Sequence, residues 1–385
     1  MNYQEYLEKM TTIQSHILKY MNNNPNDDEN YRILMKYLED QKIRENKYFI
    51  KELFHLILHI SNNYHRTPKF YDKIDKMISA FLKEMKDYFS NYEIFNIFKG
   101  NKRILLFLFE QKIITPDSSI AITLMKDKYK KASYHYYFFP ELKKFYDENL
   151  LIEMYEIEHQ LFENQEIVDI EKFKENRQTG ENENEICRLI REDLIDDFVE
   201  YMRNTKLSAS SQIDHSIFET NSFLFDKIPT LIEYAAFFGS NSIFKFLYLS
   251  HVKLNPSLWL YSIHGQNLEI IHFLKEKYIR PEDNSYKECL YESIKCHHNS
   301  ISKSFLKAKK LENVTYTNQS LKYFNFELFP NDIINNDYIF FDFCKYDYYI
   351  LVDYLLNELN IDINDVRVLK SIFFSYSISN EKVFF

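Results

Sequence analysis

The side chains that could do chemistry in this sequence are a few histidines, cysteines and acids, and their spacing limits what that chemistry can be. His55 and His59 stand four residues apart in Glu52-Leu53-Phe54-His55-Leu56-Ile57-Leu58-His59, which places both rings on one face of a helix. A zinc hydrolase built on such a pair also needs a glutamate directly after the first histidine as general base, and Leu56 occupies that position. Cys289, Cys296, His297 and His298 form a tighter cluster, yet no second pair at ligand spacing completes a tetrahedral set. Asp196 and Asp197 are adjacent, so on a helix they point about 100° apart and read as a solvated face. The four glycines, Gly100, Gly180, Gly239 and Gly265, are far from one another. Phosphate loops and dinucleotide fingerprints need two or three close together, so that backbone N–H groups can approach the phosphates. A Gly-x-Ser-x-Gly nucleophile elbow is missing for the same reason. The expectation is a protein with no catalytic residues, no metal and no cofactor.

The elements that would position any site read as helices. Residues 70 to 89 repeat apolar side chains at spacings of three and four, with Phe70, Ile74, Met77, Ile78, Phe81, Leu82, Met85 and Phe89 on one face. Residues 3 to 21 and 47 to 60 behave alike, and the eight prolines fall between such segments. Residues 163 to 185 carry little apolar material. The expected organisation is therefore a helical domain over 1–162, a linker over 163–184 holding Gly180, and a second region over 185–385.

Composition narrows the partners. With 45% hydrophobic and 27% charged residues the 385-residue chain can build a large core, and 34 Phe and 31 Tyr take over packing done elsewhere by Leu and Ala. A net charge of −9 disfavours non-specific attraction to nucleic acid or anionic membrane. The longest apolar run, Ile104 to Phe109, is far too short to span a bilayer, and the residues after Met1 lack the basic and apolar stretches of a secretion signal. Four scattered cysteines fit a reducing setting, so an intracellular, cytoplasmic protein is expected.

A repeat runs through the second region. Pro229, Pro256 and Pro281 are spaced by 27 and 25 residues. After the first comes Thr230-Leu231-Ile232-Glu233-Tyr234-Ala235-Ala236-Phe237-Phe238-Gly239, and after the second Ser257-Leu258-Trp259-Leu260-Tyr261-Ser262-Ile263-His264-Gly265-Gln266-Asn267-Leu268-Glu269-Ile270-Ile271. Only seven alanines occur in the chain, and their one adjacent pair lies three residues before a glycine. Small residues let a first helix pack closely on its neighbour, and glycine suits a tight turn into a second helix. Gly100 to Leu108 parallels Gly239 to Leu247, and weaker copies lie at Cys289 to Leu306 and Phe343 to Leu356, with Ile361-Asp362-Ile363-Asn364 closing the last. The pattern resembles the ankyrin repeat, and in detail the divergent, lineage-expanded ankyrin family of parasitic protists.

That resemblance implies an all-α, ankyrin-like solenoid of helix pairs preceded by a helical N-terminal region, with degenerate repeats around 90–115. It implies a non-enzymatic scaffold that binds another protein on a concave surface. Ankyrin-like geometry would expose the residues entering and leaving each first helix, here Lys227, Pro229, Phe237, Phe238, Lys253, His264, Lys287 and Lys295. Lysines in such a strip point to an acidic partner. A second reading is a nucleic-acid binder using 126–139, where Lys126, Lys128, Lys130 and Lys131 alternate with stackable rings ending in Tyr136, Tyr137, Phe138 and Phe139.

Overall fold

The computed structural model describes residues 1–23, 28–125, 134–146, 170–225, 227–282, 284–308, 315–330, 333–335 and 339–357. Among them every named element is helical, and the one extended pairing is an isolated bridge between Gln212 and Thr230. The first eight helices are α1 Tyr3–Asn22, α2 Glu29–Asp40, α3 Lys47–Asn63, α4 Phe70–Ser79, α5 Leu82–Tyr88, α6 Asn91–Phe98, α7 Lys102–Glu110 and α8 Ser118–Met125. The next are the single turns α9 Tyr134–Tyr137 and α10 Phe139–Leu142, then α11 Ile170–Thr179, α12 Glu185–Arg191 and α13 Ile195–Thr205. The remainder are α14 Leu231–Phe238, α15 Asn241–Leu249, α16 Leu258–His264, α17 Leu268–Glu276, α18 Lys287–Lys295, α19 Asn299–Ala308, α20 Thr317–Lys322, α21 Ile339–Lys345 and α22 Tyr349–Asn357.

Residue contacts group the chain into two units. The first holds residues 1–60, 67–73 and 285–385, and the second holds 61–66 and 74–284. This differs from the expected boundaries at 162 and 184, because α1 packs on the turn Phe326–Leu328 within the first unit. The stretch expected to be a linker is also packed where it is described. Arg177 of α11 is buried and pairs with Glu141 at 2.8 Å, and Arg103 donates to the Gln178 carbonyl at 2.7 Å. Ion pairs and backbone bonds replace the apolar side chains whose scarcity suggested a solvated segment. Residues 163–169, also assigned to the linker, lie outside the described residues.

In the second unit the helix pairs α12/α13, α14/α15 and α16/α17 follow one another, with α12 against α14 and α14 against α16. Thr230 and Glu233 start α14 with a capping box, so the helix begins where the Pro229-Thr230 signal places it. Each pair turns in one way. Asp193, Gly239 and Gln266 adopt left-handed φ of 50°, 73° and 51°. The N–H of the following residue then reaches back to the carbonyl five residues earlier, as in Leu194 to Leu189, Ser240 to Ala235 and Asn267 to Ser262. Gly239 is the turn residue expected. Gly265 is not: its φ is −73°, and Gln266 takes the turn. The pair α6/α7 also lies in this unit, but Gly100, expected to parallel Gly239, is not left-handed and its turn lacks that back-bond; Asn101 caps α7, and Lys112 ends it at φ 54°.

In the first unit the same turn recurs at His297, Phe324 and Asp347, with φ of 57°, 54° and 64°. His298, Asn325 and Tyr348 bond back to Ser293, Ser320 and Phe343. The Phe324 copy, α20 followed by the short turn Phe326–Leu328, escaped the sequence reading because no glycine or proline marks it. Its trace is Ser320-Leu321-Lys322 beside Ser293-Ile294-Lys295. Around these turns α1 buries Tyr6, Met10, Ile13 and Ile17, each such side chain contributing about 1.5–3 kcal/mol. Gln14 of α1 donates to Asn325 at 2.8 Å and contacts His297 Nδ1 at 3.0 Å. The closing motif at residues 361–364 lies outside the described residues.

Candidate binding surface

Three of the expected surface residues do come together in the second unit, but around a side chain of the protein itself. Phe223, from the segment between α13 and α14, stacks on Phe237 with ring centres 5.9 Å apart and lies 4.5 Å from His264. Lys227 holds its ammonium 4.6 Å from the centre of the Phe223 ring. Phe237 and His264 are therefore buried, contrary to the exposed role expected for them. Pro229 is buried too, its carbonyl accepting from Ile213 N–H. Phe238 is half-buried against Tyr234 and Phe237, and Lys253 is exposed. In the first unit Lys287 is exposed beside Tyr291, while Lys295 is half-buried and paired with Glu292 at 3.2 Å. Two of the four lysines of the expected strip are thus committed to internal contacts. Sequence spacing placed the ends of the first helices correctly but could not show what covers them.

Buried charge fixes the covering segment. Arg191 pairs with Glu181 at 2.8 Å and donates to Tyr234 at 3.1 Å, and Arg66 lies 3.5 Å from the same Glu181. Lys102 is fully buried and donates to the Ile217 carbonyl. Burial pulls its amine down to about 7, although Glu219 and Glu183 oppose this. Thr220 ties the segment to the Gly180 carbonyl. The segment is part of the core.

The histidines and cysteines picked out for metal chemistry are packing residues in the first unit. His55 and His59 both stack on Phe324, with ring centres 5.3 and 5.4 Å away. Burial drives His55, His59 and His297 down to about 3 each, so all three are neutral imidazoles. Cys289, Cys296 and His298 are buried as well. Of the basic segment, residues 126–133 lie outside the described residues. Tyr137 and Phe138, which were to stack on bases, are buried, with Tyr137 donating to the Arg177 carbonyl at 2.8 Å.

An open site lies elsewhere in the second unit, between the second helices of two neighbouring pairs. A groove of about 230 Å³ runs between α15 and α17. Phe244, Tyr248, Ile270 and Phe273 form its floor, and Lys245, Glu269, His272 and Glu276 its rim. Phe273 meets Phe244 at 90° and Tyr248 at 82°, with ring centres 5.8 and 5.0 Å apart. These residues stand on the second helix of each pair, whereas the proline, alanine and glycine signals in the sequence mark the first. Phe244 and Tyr248 at i and i+4, facing Glu269, Phe273 and Glu276 at i, i+4 and i+7, were the signal available. Compared with protein-family models, curated proteins and solved structures, the chain matches none of them.

Proposed function

We propose that this protein is an interaction scaffold, built from ankyrin-like helix pairs, that binds another protein. The observation that carries the reading is the groove between α15 and α17, where half-buried aromatic rings face solvent between charged rims. Aromatic rings at the floor of a small cleft with a charged rim are the kind of anchor point that a partner's side chain uses. Among the described residues ten turns carry this backbone signature, and six of them join the two helices of a pair, which supports the repeat architecture. In arrays of that design successive pairs supply an extended face and not an enclosed reaction site. An intracellular setting remains part of the proposal, resting on the four scattered cysteines.

The test is capture by the immobilised full chain from nuclease-treated and untreated cell extract at two salt concentrations. A protein partner retained after nuclease digestion is the expected result. Capture that disappears with nuclease and falls steeply with salt would replace the scaffold by a nucleic-acid binder.

A further inference from the structure

The groove between α15 and α17 is too small for a drug-sized ligand, since ordinary ligand pockets start near ~300 Å³. Its size suits one long side chain. Three features say which. First, the floor is aromatic, and rings meeting at right angles present electron-rich faces as well as edges. Second, those faces already attract a cation: the Lys277 ammonium stands 5.4 Å from the Tyr248 ring centre and 5.5 Å from that of Phe273. Third, the rim charges are unevenly matched. Lys245 approaches Glu269 at 3.9 Å, whereas Glu276 has His272 beside it at 3.2 Å, a partner that is charged only when protonated. The carboxylate best able to accept a new cation is therefore Glu276.

We propose that this groove takes an arginine side chain presented by a partner protein, its guanidinium lying against Tyr248 and Phe273 and donating to Glu276. The assignment rests on the scaffold reading given above. Arginine fits where other side chains do not. Its flat, weakly hydrated cation stacks on rings and donates a forked pair of hydrogen bonds to a carboxylate, while its alkyl stem covers apolar floor. Lysine is a compact, strongly hydrated charge that cannot stack. An acidic side chain would meet Glu269 and Glu276. A leucine would cover both carboxylates without pairing them.

The test uses the full-length protein and fluorescein-labelled peptides carrying one central residue between leucines, read by fluorescence anisotropy. Central arginine is expected to bind. Citrulline, the same shape without the charge, is expected to bind about tenfold more weakly, as is lysine, because one charge-assisted hydrogen bond is worth about that factor. Glu276→Gln and Phe273→Leu should each lose at least that factor, with unchanged circular dichroism as the check on folding. Lys277→Ala should tighten binding by freeing the ring faces, a gain that a misfolded variant cannot produce. Equal binding of the arginine and citrulline peptides, or no binding by either, overturns the proposal. Those outcomes leave the scaffold reading standing if the capture experiment still returns a protein, whereas nuclease-sensitive capture alone removes the scaffold reading.

Discussion

A β-carbon placed on Gly265 would sit 2.4 Å from the carbonyl oxygen of Phe237 and 2.8 Å from that of Ala236. This glycine therefore serves the contact between α16 and α14, not the turn. Gly265→Ala should force the two helices apart and cost about 1–3 kcal/mol, the usual range for overpacking. Thermal denaturation of the variant checks this, and an unchanged melting temperature would refute the close approach.

Gly239 and Gly180 make the opposite case. Both are left-handed, with φ of 73° and 67°, and Gly180 is buried with its carbonyl held by Thr220. In a solvated linker, a side chain at Gly180 would be harmless. The structure makes Gly180→Val and Gly239→Val comparably damaging, each by about 1 kcal/mol or more. Paired melts of the two variants decide the point.

Tyr278 reverses the argument. It is left-handed at φ 55° yet 89% exposed, so its ring contributes little burial while its backbone is strained. Tyr278→Gly is expected to raise stability by about 0.5–1 kcal/mol, the left-handed penalty less the entropy of glycine. A lower urea midpoint for this variant would count against that balance.

The first unit should be most stable near pH 6.5. Burial raises Glu52 to about 8, despite the Tyr6 hydrogen bond at 2.6 Å, the Ile350 N–H and nearby Lys51; Asp347 adds to the rise. The folded state thus keeps a proton that the unfolded chain sheds near 4.5, and stability falls as pH rises toward 8. His55, His59 and His297 lie at about 3 against 6.5 unfolded, so stability also falls as pH drops below 6.5. Between 4.5 and 6.5 three imidazoles oppose one carboxyl, and acidification loses. His55 also lies 3.7 Å from Asp347 and near Lys51, His59 near Lys322, and His297 near Glu327. Hydrogen exchange in α1 and α3 at pH 5, 6.5 and 8 reports the profile. Glu52→Gln should flatten its alkaline limb alone.

The helices were legible because their period is written in side chains: the Thr230–Gly239 entry appears where the spacing puts it, whereas the apolar run of 70–89 is split into α4 and α5 by a turn at Ala80–Phe81 that the period alone does not show. The turns were legible only in part. Asp193, Gln266, Phe324 and Asp347 perform the same backbone task as Gly239, and no residue type announces it. The groove escaped because Phe244 and Phe273 read as ordinary core positions until their neighbours are known. Phe223 escaped because a segment without periodicity gives no sign of what it covers.

The division of the chain has a consequence for its synthesis. Helices α1 to α3 belong with α18 to α22, yet roughly 200 residues of the second unit are made between them. At about 5–20 residues per second their apolar faces wait some 10 to 40 s at the ribosome for the rest of their core. A nascent chain halted after Asn284 should therefore leave α1 open to chaperones and proteases while the second unit is already protected. Addition of residues 285–385 should close it. Limited proteolysis of the halted and extended chains would show whether α1 to α3, made before the second unit, fold after it.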